Sequence, residues 1–277
     1  MRKLLSANVS RLCKEKIFWL VLGVMAIGSA GFSWLTYETA MKNTDMQFYV
    51  EDLIFNMLPM LGSVFVIFIG MHLGTEFDEH TIRNKLIVGY NRTQVYFAEY
   101  ITCLAASLIL LAVMLFSSGT SGYFLFREFQ YGWSENAFMV FCCVLITAVL
   151  SAMIVGICSN TNSRAMSLIA SFVFLFAIML LASFCINALA EAPTTYSDIR
   201  ITMEGVQLGE MIDNPAYIDG TQRAIYELIA DILPTGQSIQ LNNLECERAD
   251  RWPMLSGIML LIVTILGYIP FRKRDVK

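Results

Sequence analysis

The side chains that could do chemistry are concentrated in one charged stretch in the first half of the chain. His72, Glu76 and His80 are spaced i, i+4 and i+8, which on an unbroken helix puts two imidazoles and a carboxylate, the donors of a metal site, on one face. Gly70 and Gly74 weaken a continuous helix there, and the chain has no other histidine. The favoured interpretation is that this stretch binds neither a metal nor a haem.

Enzyme chemistry is equally unsupported. No segment matches GxxxxGK followed by Ser or Thr, so the chain has no phosphate-binding loop of its own. No nucleophile is paired with a base, and the seven cysteines include no CxxC pair. The sequence predicts no catalytic residue, no cofactor site and no metal ligand.

The charged stretch, GTEFDEHTIRNKLIVGYNR, instead predicts a short helix between two turns. Thr81 or Asp78 can cap it, Ile82 and Leu86 share one of its faces, and Gly89 can end it. Such a piece is stiff and is expected to lie along the membrane surface described below.

A capping box of Asn91 and Gln94 then restarts a helix. The plain alternative for the whole stretch is that inner loops are charged in any membrane protein, and that Arg83, Lys85 and Arg92 only set topology.

Composition places the chain in the membrane. It is 56% hydrophobic and 15% charged, with a mean hydropathy of +0.59. Six apolar runs are long enough to cross a hydrocarbon core of about 30 Å. They are predicted at Ile17–Thr36, Leu53–Met71, Val95–Phe116, Ala137–Cys158, Ala165–Ala190 and Pro253–Phe271.

Lys and Arg set the predicted orientation. Thirteen of the nineteen lie in residues 1–16, 72–94 and 159–164 and in the C-terminal tail, so both termini and these loops are expected in the cytoplasm. Leu5, Val9 and Leu12 fall on one face of the basic N-terminal segment, which predicts an amphipathic interfacial helix rather than a cleaved signal peptide.

Polar groups inside the spans are few. Glu99 is the single acid within a predicted span and lies near its cytoplasmic end, which disfavours a proton-coupled carrier or a charged pore. Asn56 and Pro59 are interpreted as packing or hinge features of the second span.

Two segments are predicted on the opposite side. The aromatic-rich residues 117–136 suit an interfacial or re-entrant turn. Residues 191–252 carry eleven acids and four arginines and form an acidic cap, in which an apolar stripe predicts a helix from about Thr221 to before Pro234. The stripe consists of Ala224, Ile225, Leu228, Ile229, Ile232 and Leu233.

The run GTEFDEHTIRNKLIVGYNRTQVYFAEY resembles the loop after the second span in permease subunits of type-2 ABC exporters. The matching positions are Glu76, Thr81, Ile82, Gly89 and Arg92. The order of basic start, six spans, inner turn SNTNSR and large outer segment is also similar to that class, and most similar to bacitracin-resistance, lantibiotic-immunity and peptide-toxin export permeases.

The resemblance implies that the stretch is a coupling helix on a cytoplasmic ABC ATPase dimer, which binds ATP and Mg²⁺. It also implies a second permease copy or a related permease in a bacterial plasma membrane, and export of an amphipathic peptide or lipid-like substrate. The implied ATPase-coupling residues are Glu76, Phe77, Thr81, Ile82, Arg83, Lys85, Gly89 and Arg92, with a second inner contact at Asn160, Asn162 and Arg164.

The expected fold is therefore an all-α integral membrane protein with an N-terminal interfacial helix, a coupling helix and a small helical cap. Its expected parts are residues 1–190, with five spans and the coupling loop 72–94, the cap 191–252, and the sixth span with a basic tail, 253–277. The alternative function is a channel or a scaffolding protein that is not driven by ATP.

Overall fold

The computed structural model describes residues 1–42, 47–79, 81–161, 163–197, 199–202 and 205–273. Six helical segments in this part of the chain are long and apolar enough to cross a membrane. They are Lys16–Lys42, Val50–Asp78, Arg92–Leu125, Trp133–Ser159, Arg164–Leu189 and Ala249–Lys273. The predicted all-α membrane class with six spans is confirmed.

The helices before the cap follow the predicted order. They are α1 (Arg2–Lys14), α2 (Lys16–Lys42), α3 (Val50–Ile54), a 3₁₀ turn (Leu58–Met60), α4 (Leu61–Asp78), α5 (Thr81–Ile87), α6 (Arg92–Leu125), α7 (Trp133–Ser159) and α8 (Arg164–Leu189).

After α8 come strands β1 (Thr194–Tyr196), β2 (Ile199–Thr202), β3 (Gly205–Leu208) and β4 (Met211–Asp213). The chain continues with α9 (Gly220–Ile232), α10 (Pro234–Asn242), a 3₁₀ turn (Ala249–Arg251) and α11 (Trp252–Lys273).

The bundle has two ends with different character. We call "basic end" the end that holds α1, α5, the turn between α7 and α8, and the last turn of α11. There Arg92 Nη1 donates to the carbonyl oxygen of Arg272 at 3.1 Å, and Arg164 Nε lies 3.7 Å from Asp78 Oδ2. We call "cap end" the opposite end, which holds residues 191–252.

The second span is broken near its cap end. α3 stops at Ile54, and α4 begins only after the 3₁₀ turn that contains Pro59. Asn56 Nδ2 donates to Thr36 Oγ1 of α2 at 2.7 Å, so its amide links two spans as predicted.

The third span is longer than predicted. α6 continues to Leu125 in place of the interfacial turn expected from the aromatic residues that follow Phe116. Buried Glu51 then fixes the connection to α7, because its carboxylate accepts hydrogen bonds from the backbone N–H groups of Gln130 and Tyr131, each at 3.0 Å. The aromatic side chains are carried by this helix and its end.

The N-terminal helix α1 forms as predicted, but another face of it packs on the bundle. Leu4, Asn8 and Leu12 are buried, whereas Val9 is 46% exposed. The predicted apolar face, which included Leu5 and Val9, is therefore rotated. The pattern of apolar residues could not predict this face, because Asn8 is turned inward by hydrogen bonds with Glu99 and Lys85.

The cap is not purely helical. β1 pairs with β4, and β2 with β3, in two antiparallel ribbons that the sequence did not predict. The predicted apolar-stripe helix is present as α9 and stops directly before Pro234. Buried Asp231 at its end accepts hydrogen bonds from Arg248 Nε at 3.2 Å and Trp252 Nε1 at 3.3 Å, which ties the cap to the start of α11.

Helix α7 is the centre of the bundle and packs against α4, α6, α8, α10 and α11. Its closest approach is to α11 at Gly156 and Gly267. A Cβ atom on Gly267 would lie 2.7 Å from Gly156 Cα and 2.5 Å from Tyr96 Oη. The absence of a side chain at both positions lets the two backbones meet.

We expect Gly267→Ala to lower the thermal unfolding temperature in detergent micelles. The added methyl group must push α11 away from α7 or displace the buried Tyr96 ring, a strain of about 1–3 kcal/mol. Gly257→Ala is the matched control on the same helix, since a Cβ atom there has nothing within 4 Å. Equal unfolding temperatures for the two variants would contradict the assigned contact.

Candidate functional site

The site lies at the basic end, where α5 connects the second and third spans. α5 is a helix of seven residues, and the chain turns after it at Gly89, whose φ of +103° is a conformation that favours glycine. α6 then starts with Asn91 and Gln94 as a capping box. These three local predictions are confirmed.

The inward side of α5 is held by Lys85. Its ammonium donates to both carboxylate oxygens of Glu76 at 2.8 Å, to Glu99 Oε1 at 2.6 Å and to Asn8 Oδ1 at 3.1 Å. Glu76 and Glu99 are buried. One side chain thus links α5 to the end of α4, the start of α6 and the N-terminal helix α1.

The same carboxylates are bound from a second side by α1, where Asn8 Nδ2 donates to Glu99 Oε1 at 2.8 Å. The Arg11 guanidinium forms an ion pair with Glu76 and another with Glu15, with Nε at 3.1 Å from Oε1. His72 Nδ1 lies 2.7 Å from Glu15 Oε2, and its ring stacks on Phe68. We call these six residues the basic-end ion cluster: Arg11, Glu15, His72, Glu76, Lys85 and Glu99.

Two members outside the spans have shifted pKa values. Burial acts to lower the pKa of Lys85, but the Glu99 and Glu76 carboxylates outweigh it and raise the pKa above its usual value. Burial acts to raise the pKa of Glu15, but the hydrogen bond and charge of His72 and the charge of Arg11 outweigh it and lower the pKa.

These shifts fix the pH range of the stabilisation. Because the pKa of Lys85 is raised in the folded protein, its ion pairs stabilise the fold at any pH below the usual lysine pKa. This stabilisation is lost as the pH rises through the pKa that Lys85 has in the folded protein. Because the pKa of Glu15 is lowered in the folded protein, its contacts stabilise the fold at any pH above the usual glutamate pKa. This stabilisation is lost as the pH falls through the pKa that Glu15 has in the folded protein. Both contributions are present from roughly pH 5 to pH 10.

The cluster contains the donor types of a metal site. His72, Glu76 and Glu99 each offer a ligand atom within 4.8 Å of the others. The Lys85 ammonium, however, lies at ion-pair distance from both of these carboxylates. The arrangement is therefore that of an ion-pair network, with cations supplied by the chain itself. His80, the other candidate ligand, lies outside the described residues.

The predicted coupling residues divide into inward and outward sets. Ile82 is 2% exposed, and Glu76 and Phe77 are also buried. Thr81 Oγ1 donates to the carbonyl oxygen of Glu76 at 2.9 Å and so joins α5 to α4. Together with Lys85, these side chains make contacts within the bundle.

The outward face of α5 carries other residues. Arg83 and Asn84 are exposed, and Ile87 and Val88 are 72% and 76% exposed. Helical spacing places Arg83 and Ile87 on one face, with Asn84 beside them, and Val88 is the first residue after the helix. Sequence reasoning named Arg83 but missed the apolar pair, because Ile82 and Leu86 gave the stronger helical pattern.

The residues predicted for a second inner contact lie at the basic end, where two of them make contacts within the chain. Asn160 Nδ2 donates to the carbonyl oxygens of Gly156 and Gly267 at 2.7 and 2.9 Å, so Asn160 supports the α7–α11 contact. Arg164 at the start of α8 is partly exposed and pairs with Asp78. Asn162 lies outside the described residues.

Sequence reasoning placed Glu99 in a span but did not assign it to the site. The available signal was its status as the single acid in a predicted span. The spacing from Glu76 did single out His72, but the contacts of Asn8, Arg11 and Glu15 with α4 and α6 gave no comparable signal, because those partners lie far away in the chain.

A family model described as ABC-2 family transporter protein matches residues 4–196 of the 277-residue chain. The matched part begins in α1 and ends with β1, so it contains the whole basic-end ion cluster. α9, α10 and α11 lie after it. No match to a curated protein was found.

We expect Lys85→Met to lower the thermal unfolding temperature strongly. Removing the ammonium leaves Glu76 and Glu99 buried with Arg11 as their remaining permanent cation, and breaking a buried pair in this way costs about 3–5 kcal/mol. Lys3→Met, at an exposed lysine of α1, is the control. Adding Glu99→Gln to Lys85→Met should recover part of the loss, and no difference between Lys85→Met and Lys3→Met would refute the network.

Proposed function

Because the chain belongs to the ABC-2 family of transporter proteins, we propose that this multi-pass membrane permease is coupled through the outward face of α5 to a separate ABC ATPase. ATP and Mg²⁺ are bound by that partner. The charge distribution supports a cytoplasmic location for the basic end and for both termini.

The exposure of Ile87 and Val88 is the observation that carries this proposal. They are consecutive residues at the C-terminal end of a short helix between two spans, and Arg83 lies one helical turn before Ile87 on the same face. An exposed apolar pair with a neighbouring arginine is a surface on which a protein partner can bury area and add a charge contact.

The ion cluster supplies the connection from that face to the spans. A displacement of α5 moves Lys85, and Lys85 holds residues of α1, α4 and α6. Breaking hydrogen bonds of a buried polar network costs free energy. A displacement of α5 therefore moves the spans that Lys85 holds instead of breaking the contacts of Lys85. Shifting a two-state equilibrium from 1:99 to 99:1 requires about 5.5 kcal/mol of differential binding.

The proposal extends to partner and cargo. Six spans are few to enclose a translocation path, so we propose that a second permease copy or a related permease completes it. The spans are long and apolar, and their buried acids lie near span ends, Glu51 at the cap end and Glu76 and Glu99 at the basic end, which supports export of an amphipathic peptide or lipid-like substrate over a small ion. The match of the family model supports the permease role.

We expect the double variant Ile87→Asp/Val88→Asp to lose its ATPase partner. Two charges on the exposed face remove the apolar contact while leaving the inward side of α5 unchanged. The measurement is co-purification of the phosphate-loop ATPase that binds the wild-type chain, together with stimulation of its ATP hydrolysis. Both should fall at least tenfold, while the unfolding temperature stays at the wild-type value.

The control is Lys3→Asp/Lys14→Asp, which places two acidic residues on exposed positions of α1 at the same end of the bundle. Its complex should form normally. An Ile87→Asp/Val88→Asp protein that still binds and stimulates the ATPase would rule out this face as the coupling surface.

The native cysteines test the proposed orientation. Cys13 at the basic end is exposed, and Cys246 at the cap end is partly exposed. In intact cells a membrane-impermeant maleimide should label Cys246 but not Cys13, and in disrupted cells it should label both. Labelling of Cys13 alone in intact cells would show that the orientation is the reverse of the one proposed.

The rate of Cys246 labelling should depend on pH. Burial, and then the Glu245 charge, raise the pKa of Cys246 to about 11, so its labelling should accelerate about tenfold per pH unit between pH 7 and 9.

A further inference from the structure

A large cavity opens at the cap end, far from the ion cluster. Its volume is about 910 Å³, and it lies between the start of α7, the end of α8 and the chain that joins α10 to α11. Pockets of this size accept a drug-sized molecule or a short peptide segment.

The floor of the cavity is apolar. Phe138 and Met139 of α7 face Ile186 and Leu189 of α8 across it. Met139 and Ile186 are almost fully buried, so the floor belongs to the packed bundle and is part of a rigid wall.

The rim of the cavity is acidic. Glu135, Glu245, Glu247 and Asp250 line it with exposed side chains, and none of the four has an ion-pair partner among the residues that the structure describes.

Two arginines also line the cavity, but cap carboxylates already neutralise them. Arg223 pairs with Glu227 at 3.3 Å. Arg248 pairs with Glu227 at 3.7 Å and with the buried Asp231 at 3.2 Å. The uncompensated charge of the rim is therefore negative, and a cation is attracted into the cavity.

We propose that this cavity binds a cationic amphipathic peptide segment, whose ammonium or guanidinium groups pair with Glu245, Glu247 and Asp250 while its apolar side chains cover the floor. The mixture of acidic rim and apolar floor distinguishes it from a second cavity of about 490 Å³ beside Phe129 and Trp133, whose lining is almost wholly apolar. Charge complementarity selects the peptide over a neutral lipid chain.

This binding goes beyond the proposed ATP coupling and does not depend on it. The cavity is built from α7, α8 and the cap, whereas coupling is assigned to α5 at the other end of the bundle. An equilibrium measurement without ATPase or nucleotide therefore tests the cavity alone.

The test uses the full chain in phosphatidylcholine nanodiscs and a rhodamine-labelled hexapeptide, Lys-Leu-Lys-Trp-Lys-Leu, followed by fluorescence anisotropy. We expect saturable binding that empty nanodiscs lack and that weakens with added salt. The analogue with Ser in place of each Lys should not bind.

The cavity variant Glu245→Gln/Glu247→Gln/Asp250→Asn should weaken binding at least tenfold, the combined effect of about two to three partly exposed ion pairs. Glu135 is left unchanged because its carboxylate accepts from the Gly132 N–H at the start of α7. Ala190→Trp, which places a large side chain on the lining, should block binding with the rim charges intact.

The matched control is Glu210→Gln/Asp213→Asn/Asp219→Asn, which removes the same charge from cap residues that do not line the cavity. It should change the affinity less than twofold. If both triple variants weaken peptide binding equally, the peptide is attracted by the total negative charge of the cap and not by the cavity. Unchanged binding in the cavity variant or in Ala190→Trp would place the peptide elsewhere. Either result overturns the proposal.

Discussion

The ammonium of Lys85 keeps Glu76 and Glu99 buried as carboxylates in an environment where neither is stable alone. Burying an ionised carboxylate costs several kcal/mol unless a cation and hydrogen bonds compensate. Here compensation comes from two separate parts of the chain, α5 through Lys85 and α1 through Arg11 and Asn8. The carboxylates themselves belong to α4 and α6. The basic end is one unit because these charges cannot be separated without exposing or neutralising them.

This constraint gives α5 its two-sided character. Its inward side is committed to the cluster and to the packed Ile82, so its position relative to the spans is defined. Its outward side is then free to present Ile87 and Val88. A short helix of seven residues has little stability of its own, and the charge contacts that hold it are also the contacts through which a partner could move the bundle.

The rest of the molecule is held by different means. Close backbone contact at Gly156 and Gly267 fixes α11 against α7, and hydrogen bonds from Asn160 secure it. At the cap end, buried Glu51 and Asp231 each collect several donors and thereby fix a loop and the start of α11. The two ends are thus held by separate contacts, so the proposed peptide cavity at one end and the proposed partner surface at the other share no residues.

The sequence by itself determined the membrane class, the six spans, the short helix after the second span with its turn at Gly89, and the cap helix that ends before Pro234. All of these follow from local signals: the length of apolar runs, helical periodicity and residues with restricted backbone geometry. Tertiary structure alone decided which face of α1 packs inward, that Lys85 and Glu76 serve the interior, and that Glu99 belongs to the site. The reason is physical: an ion pair between residues as distant as Arg11 and Glu76 leaves no periodic trace in the chain, and a charged side chain looks the same in sequence whether it faces solvent or a buried partner.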